Sequence, residues 1–508
     1  MKSKETRLKW VVAGLLLGIF IAAIDNTIVA TAMATIVADL GGLDKFVWVT
    51  SAYMVTEMAG MPIFGKLSDM YGRKRFFVFG LIVFLTGSML CGIAQNIVQL
   101  SIYRAIQGIG GGALVPIAFT IMFDMFPPEK RGKMGGLFGA VFGLSSIFGP
   151  LLGAYITDYF DWRWVFYINI PLGLLSFYFV AFFYRESPKH AKQQIDWRGV
   201  ITLVPAIVCL MFALELGGNK YEWGSHVIIG LFSAFSILFL LFLFVETKAK
   251  EPIVSYQMFR KRLFAASNLV GFFSGATFIV ATIYIPIFIQ GVLGGSATNS
   301  GLILLPMMLA TTVSAQLGGF LSNKMSYRNV MFIFTSIFII GIFLLSTITT
   351  DTSRLLITLY MIITGLGVGA SFSVLGMAAI HHFQETERGA ASSTGSFMRS
   401  LGMTIGITVF GIIQRNLFTN KLTGLLGGMP HAPRHTNFKD PRAILSPKTR
   451  EHIPAPVLDQ ITSALSSSIA HTFMWSLVPA VLTFLFVFLM TNDRLTVFHT
   501  EQQKESIK

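Results

Sequence analysis

The sequence predicts an all-α integral membrane protein with fourteen transmembrane helices, arranged as two six-helix bundles with two further helices inserted between them. Three observations carry this prediction. Of the 508 residues, 53% are hydrophobic and only 13% charged, roughly half the charged share of a soluble domain. Fourteen apolar runs each approach the roughly 20 residues a helix needs to cross the hydrocarbon core. The two ends of the chain also echo each other at a nearly constant offset, leaving the seventh and eighth runs outside the repeat.

The runs of the first bundle lie at 11–34, 46–65, 76–95, 98–122, 134–157 and 164–184. Those at 199–217 and 226–246 form the insertion. The second bundle takes 266–290, 299–322, 329–349, 354–380, 395–415 and 470–491. The expected units are therefore residues 1–198, 199–250 and 251–508. The first run continues past Ile21, as a retained helix does and a cleavable signal peptide does not. Forty-eight glycines and 47 phenylalanines suit close helix packing and lipid-facing bulk. Cys91 and Cys209 lie inside apolar runs, so neither a disulfide nor a thiolate metal site is expected.

The net charge of +14 would suggest nucleic acid in a soluble protein, but here the basic residues lie mostly in alternate loops. One side holds Lys2, Lys4, Arg7 and Lys9, then Lys66 and Arg73 to Arg75, then Lys130, Arg131 and Lys133, then Arg185, Lys189, Lys192 and Arg198. The short loops opposite hold Lys45, Arg163, Lys220 and Arg354. The positive-inside rule then places both termini in the cytoplasm. The segment 416–469 carries six Lys or Arg, yet fourteen spans put it outside. It is taken as a long extracellular loop, with Val457, Leu458, Ile461 and Leu465 spaced to lie on the membrane surface.

The repeat is specific. Gly108 to Ala113 (GIGGGA) answers Gly365 to Ala370 (GLGVGA), a shift of 257 shared by Arg131-Gly132 with Arg388-Gly389 and by Gly149 with Gly406. Gly65, Leu67, Ser68 and Asp69 answer Gly319, Leu321, Ser322 and Asn323 at a shift of 254. Several matches in topologically equivalent spans indicate two related halves. The second half replaces Asp69 by Asn323 and Arg73 by Tyr327, so the first half is expected to carry the stronger latch between bundles.

Four motifs carry mechanism. Between the second and third runs, GKLSDMYGRKR presents Gly65, Leu67, Asp69, Gly72, Arg73 and Lys74 at the spacing G-x-L-x-D-x-x-G-R-K. The fifth run contains Gly136, Gly149, Pro150 and Gly153; small residues admit a neighbouring helix and the proline removes a backbone hydrogen bond. The fourth run holds Arg104, Gln107 and Gly108 in RAIQG, and the first holds Asp25, Thr27, Ile28 and Val29 in AIDNTIV. Together these resemble the major facilitator superfamily, and the fifth-run and first-run motifs resemble its fourteen-span drug:proton antiporters. The segment WRWVFYINIPLG at 162–173 resembles a stretch common in that branch and also suits an aromatic interface belt. Three departures stand out: Ser145 and Ala154 replace motif glycines, and Ala30 replaces the usual Asn. The resemblance implies the major facilitator fold and links the Arg104 motif to proton transfer.

Asp25 lies about 20 Å along its helix from the inner face, by a rise of ~1.5 Å per residue, and Arg104 lies in a similar outer zone. A buried pair of the two either senses the proton or is purely structural, while Arg104 has the alternative of snorkelling to the interface. Glu57 sits near mid-depth in the second run with Tyr53 one turn away. It either faces a cavity and attracts a cationic substrate among aromatic rings or makes structural hydrogen bonds. Asp25, Arg104 and Glu57 are the proton-coupling candidates; Glu57, Tyr53 and Asp25 are the substrate-binding candidates. Asp124, at the inner end of the fourth run, fits either a latch with Arg73 or a solvated helix end; Arg399 is placed to snorkel, and His381 and His382 to sit at the interface, with no metal site.

The resemblance implies a multi-pass protein of the bacterial cell membrane, not an enzyme. It would export structurally diverse amphipathic, often cationic drugs by alternating access. Its expected partners are small lipophilic molecules, protons and the lipid bilayer. It would act as a monomer, without nucleic acid or cofactor, and with the proton gradient as its energy source. The alternatives are a narrower exporter of one antibiotic, siderophore or metabolite, and a non-transporting membrane sensor. No nucleotide-binding loop is present to supply ATP drive, and no nucleophile or zinc constellation marks an enzyme.

Overall fold

The computed structural model describes residues 2–41, 47–186, 196–218, 221–249, 252–254, 256–295, 297–426 and 455–494. Lys45, Lys189, Lys192, Lys220, the middle of the 416–469 segment and the tail after Arg494 lie outside the described residues.

The first bundle comprises α1 (Lys2–Leu40), α2 (Val47–Tyr71), α3 (Arg73–Gly92), α4 (Ile97–Met125), α5 (Pro128–Tyr159), the short α6 (Trp164–Tyr167) and α7 (Asn169–Phe183). The inserted pair is α8 (Trp197–Leu216) and α9 (His226–Lys248). A short α10 (Tyr256–Arg260) leads into α11 (Arg262–Gly291), α12 (Ala297–Leu321), α13 (Tyr327–Leu345), α14 (Arg354–Ile380), α15 (Arg388–Leu426) and α16 (Ala455–Val487). Among the described residues, thirteen spans are long and apolar enough to cross a membrane. The remaining long helix, α2, has 25 residues and is made less apolar by Thr50, Ser51, Thr56 and Glu57.

Local chemistry sets many of the helix ends. Asn96, Asp196, Ser225, Ser326 and Ser353 each accept a backbone N–H from the first turn of the helix that follows, which satisfies a donor the helix cannot pair itself. A single residue, Gly72, joins α2 to α3 at φ 112°, a conformation that strains any side chain with a Cβ. The sixth predicted span is split at Ile168. Pro171 has no N–H to offer the Tyr167 carbonyl, so the helix restarts at Asn169.

Each bundle closes around its own apolar core: Phe77, Leu81, Phe84 and Ile117 in the first, and Phe288, Phe338, Ile342 and Phe473 in the second. The inserted pair lies over the seam of α2 and α15, where Leu203, Ile207 and Met211 meet Val55, Met58 and Ala59, with Phe397 and Leu401 alongside. The repeat is visible in the packing. Gly108 abuts the Tyr53 carbonyl as Gly365 abuts that of Met307, and Gly110 abuts the Phe84 backbone as Gly367 abuts that of Phe338. A Cβ at any of the four would overlap backbone atoms of the facing helix.

One boundary differs from the hydropathy reading. The 416–469 segment is not a loop throughout: α15 continues to Leu426 and α16 begins at Ala455. Ile461 and Leu465 are fully buried in the second bundle's core, with Val457 and Leu458 packed against it. They do not lie along a membrane surface. Their apolar face meets other helices, a partner that helical spacing alone does not identify.

Candidate functional site

Three features stand out: an ion cluster inside the first bundle, a cavity between the bundles, and a latch between them at the end carrying the basic loops, here termed the basic end.

Asp25 of α1 and Arg104 of α4 are both wholly buried and form an ion pair. Gln107, one turn from Arg104, accepts from Arg104 Nη1 at 2.7 Å and donates to Asp25 Oδ1 at 2.8 Å. Asn169, at the start of α7, donates to the same Asp25 oxygen at 3.0 Å and to Ser88 Oγ at 3.0 Å. Arg104 Nε donates to the Val49 carbonyl at 3.2 Å, and its guanidinium carbon lies 4.2 Å from the centre of the Tyr53 ring. Such a cage makes a buried ion pair tolerable, because each remaining donor or acceptor that is left unpaired adds a desolvation cost. Arg104 therefore does not snorkel to an interface. Gly108 and Gly112 let α4 approach the α2 backbone at Tyr53 and Glu57, which sets the depth of Arg104 against Tyr53.

The cavity, about 310 Å³, lies between the bundles. Phe119, Phe138, Phe142, Phe278 and Phe372 supply aromatic walls, and Met54, Met58 and Met403 supply pliable ones. Its lining carries two charged groups among the described residues, Glu57 and Arg399. Glu57 thus faces the cavity, beside Asn26. The substrate-binding set read from sequence needs correction on two counts. Tyr53 and Asp25 do not line the cavity; both are fully buried, Tyr53 under the Arg104 guanidinium. Helical spacing places Tyr53 and Glu57 one turn apart, but only the neighbouring helix decides that one is covered and the other open. Arg399 likewise does not snorkel. It faces the cavity, donating to the Ser371 carbonyl at 2.8 Å with its guanidinium carbon 4.4 Å from the Phe372 ring centre.

At the basic end, Asp69 accepts the backbone N–H groups of Gly389 and Ala390, each at 2.9 Å. A carboxylate of the first bundle thus caps the N-terminus of α15 in the second, where the helix dipole favours negative charge. Arg73 pairs with Asp69 at 3.2 Å and with Asp124, and Arg388 reaches Asp124 from the other bundle at 2.5 Å. Gly65 faces Ser393 and Gly389 with no room for a Cβ, so α2 and α15 close together here. Lys74 follows in α3, partly exposed. The repeat counterpart Tyr327 instead serves its own bundle: its hydroxyl meets His381 Nδ1 at 3.2 Å and its N–H meets the Asp493 carbonyl at 2.9 Å. His381, His382 and Asp493 have ligand-type atoms within 4.8 Å of one another, and His382 Nε2 contacts Asp493 at 2.8 Å.

Two sets of α5 glycines face different partners. Gly136, Gly139 and Gly143 face Gln316, Ala315 and Thr312 of α12 across the interface. Gly149 and Gly153 face Thr27, Ile28 and Thr31 of α1, just past Asp25. The helix remains continuous through Pro150. Sequence reasoning missed Asn169, Ser88 and the cavity role of Arg399. The available signal was an amide and a guanidinium inside runs otherwise able to cross a membrane, where polar groups are costly unless partnered or wet.

The profile of the Major Facilitator Superfamily matches residues 15–407. The chain is 56% identical over 496 residues to multidrug resistance protein 3 of Bacillus subtilis (strain 168), with 97% of each chain covered. It is 36% identical to the multidrug transporter protein MdtP of the same organism, over 100% of this chain and 97% of that one. Among solved structures, the proton:xylose symporter XylE bound to 6-bromo-6-deoxy-D-glucose superposes with a TM-score of 0.64 at 14% identity, covering 97% of this chain and 99% of the other. The human organic anion transporter MFSD10 gives a TM-score of 0.62 at 14% identity, over 95% and 99% of the two chains.

Proposed function

The chain belongs to the Major Facilitator Superfamily, and on that premise we propose that it exports diverse amphipathic, often cationic drugs from a bacterial cell in exchange for protons. The observation that carries this reading is a carboxyl, Glu57, facing an aromatic and methionine-lined cavity between the bundles. Flat rings and flexible thioethers accept varied shapes without strict geometry. A carboxylate in a dry cavity attracts a cation more strongly than it would in water, and protonation removes that attraction.

The basic end faces the cytoplasm in this reading, and the latch of Asp69, Arg73, Asp124 and Arg388 closes that side while the cavity exchanges with the exterior. A proton arriving from outside neutralises Glu57 and frees the bound cation. Neutralising Asp25 removes the counter-charge of Arg104. Because Gln107 and Asn169 both hold Asp25 Oδ1, the change in charge is transmitted to α4 and α7. Gly149 and Gly153 couple the same stretch of α1 to α5, whose other half contacts the second bundle. The proton gradient is the energy source, the protein works as a monomer in the lipid bilayer, and no cofactor takes part.

The test is uptake of a fluorescent lipophilic cation into inverted vesicles under an imposed pH gradient. Wild type should accumulate the dye only with the gradient. Asp25→Asn and Glu57→Gln should leave folded protein that no longer couples uptake to it. Full coupling in both variants refutes the proton assignment, and absence of uptake by wild type across several cations refutes broad cation export.

A further inference from the structure

A cavity built only for lipophilic cations has no use for an arginine, yet Arg399 faces this one. Its position is designed into α15 rather than incidental. Gly275 packs directly against the Arg399 backbone, so α11 and α15 meet closely at this level. The side chain extends to the Ser371 carbonyl and the Phe372 ring on α14. One carbonyl uses a single one of the five N–H donors of a guanidinium. Among the described residues, no carboxylate forms a salt bridge with it, in contrast to Arg73, Arg104 and Arg388, each of which has an aspartate. The Phe372 ring and the guanidinium stacked over it both line the cavity, so a ligand bound there can reach the free donors.

The placement relative to Glu57 follows from the α2–α15 contact. Thr404 of α15 meets Met58 of α2 at 3.7 Å, which sets Thr404 level with Glu57. Arg399 lies five residues earlier on α15, about 7.5 Å along the helix toward the basic end at ~1.5 Å per residue. The cavity therefore holds a carboxyl and a guanidinium on opposite bundles, on backbone positions offset along the helices by about the length of a two-ring aromatic system.

We propose that the site takes aromatic zwitterions, with Arg399 binding a substrate carboxylate while Glu57 faces its cationic group. This rests on the drug-export reading and specifies the substrate class of the same cavity. An arginine fork pairs a carboxylate through two parallel hydrogen bonds, and water exclusion by the phenylalanine walls strengthens both charge contacts. A purely cationic ligand gains nothing from Arg399 and is repelled by it, so the residue separates two chemical classes that otherwise share one pocket.

The test uses a matched pair of dyes: rhodamine 6G, an esterified cation, and the zwitterionic acid left when its ethyl ester is hydrolysed. Both are measured for binding to detergent-purified full-length protein by fluorescence polarisation and for transport in proteoliposomes. Wild type should bind and move both. Arg399→Gln should weaken binding of the acid about tenfold or more, the worth of a lost charge-assisted contact, and tighten binding of the ester by removing the repulsion. Arg399→Lys, which keeps the charge but loses the fork, should recover part of the acid's affinity. An equal loss of both dyes would show a structural role and overturn the proposal, as would no change for the acid in either variant. Wild type that takes the ester but rejects the acid overturns the zwitterion proposal and leaves drug export standing. Monodisperse wild type that takes neither dye removes both.

Discussion

Replacing Asp69 with Asn should open the latch at the basic end. In the closed arrangement the Asp69 carboxylate accepts two backbone N–H groups of α15 at 2.9 Å and faces Arg73 at 3.2 Å. Asn keeps the shape but loses the charge, and it turns an NH2 group toward a second donor. A hydrogen bond to an ionised group contributes about 1.5–3 kcal/mol, and one such bond is lost outright. The site is 6% exposed, so salt screens it little. Taking about 2 kcal/mol, the closed population should fall about thirtyfold relative to the open one. Spin labels at exposed positions 75 in α3 and 384 just past α14 straddle the latch, and pulsed electron resonance reads the distance between them. Wild type should show a short, narrow distribution, and Asp69→Asn a second, longer population with reduced transport. An unchanged distribution in the variant would refute the idea that this carboxylate holds the bundles together.

Other outcomes follow from the packing and the charges. Gly110→Ala sets a Cβ against the Phe84 backbone and should cost about 1–3 kcal/mol, lowering the melting temperature, whereas Gly230→Ala in α9 meets nothing within 4 Å and should be neutral or stabilising by up to about 1 kcal/mol. Asn169→Ala deletes two buried hydrogen bonds and should shift the pH profile of transport at normal expression; an unchanged profile would exclude Asn169 from positioning Asp25. Beyond the last span, burial of Asp493 opposes its ionisation, but hydrogen bonds from Thr491 and His382 outweigh it and hold the carboxyl below its ordinary value of 3.8. A depressed carboxyl stabilises the fold above its unfolded value and loses that contribution as pH falls through the folded one. Asp493→Asn should therefore melt slightly below wild type at neutral pH, with the difference shrinking as pH falls below 3.8 toward the lower folded value.

Much of this arrangement was legible in the residues. Asp25 and Arg104 could be matched as partners because each is intolerable alone at its depth, and Glu57 announced itself by the same cost. Gly72 and Asp69 stood out because a turn of one residue and a buried carboxylate each need a specific side chain. Arg399 was misjudged because an arginine near a helix start reads equally well as snorkelling or as cavity-facing; helical spacing records a direction around one axis and not what stands there.

By itself the sequence determined the membrane class, the two-bundle repeat and the charged residues set inside the spans, since hydrophobicity, glycine register and the cost of buried charge are properties of local composition. Only the tertiary structure decided which of two residues on one face, Tyr53 or Glu57, opens on the cavity. It alone set Asn169 on Asp25, joined Asp69 to the α15 N-terminus across the interface, and gave the apolar face at Ile461 and Leu465 a helix rather than lipid to cover it. Each of those outcomes depends on a neighbour on another helix well away in the chain, and for Asp69 on the opposite bundle, and a contact between distant segments is fixed by how whole helices pack.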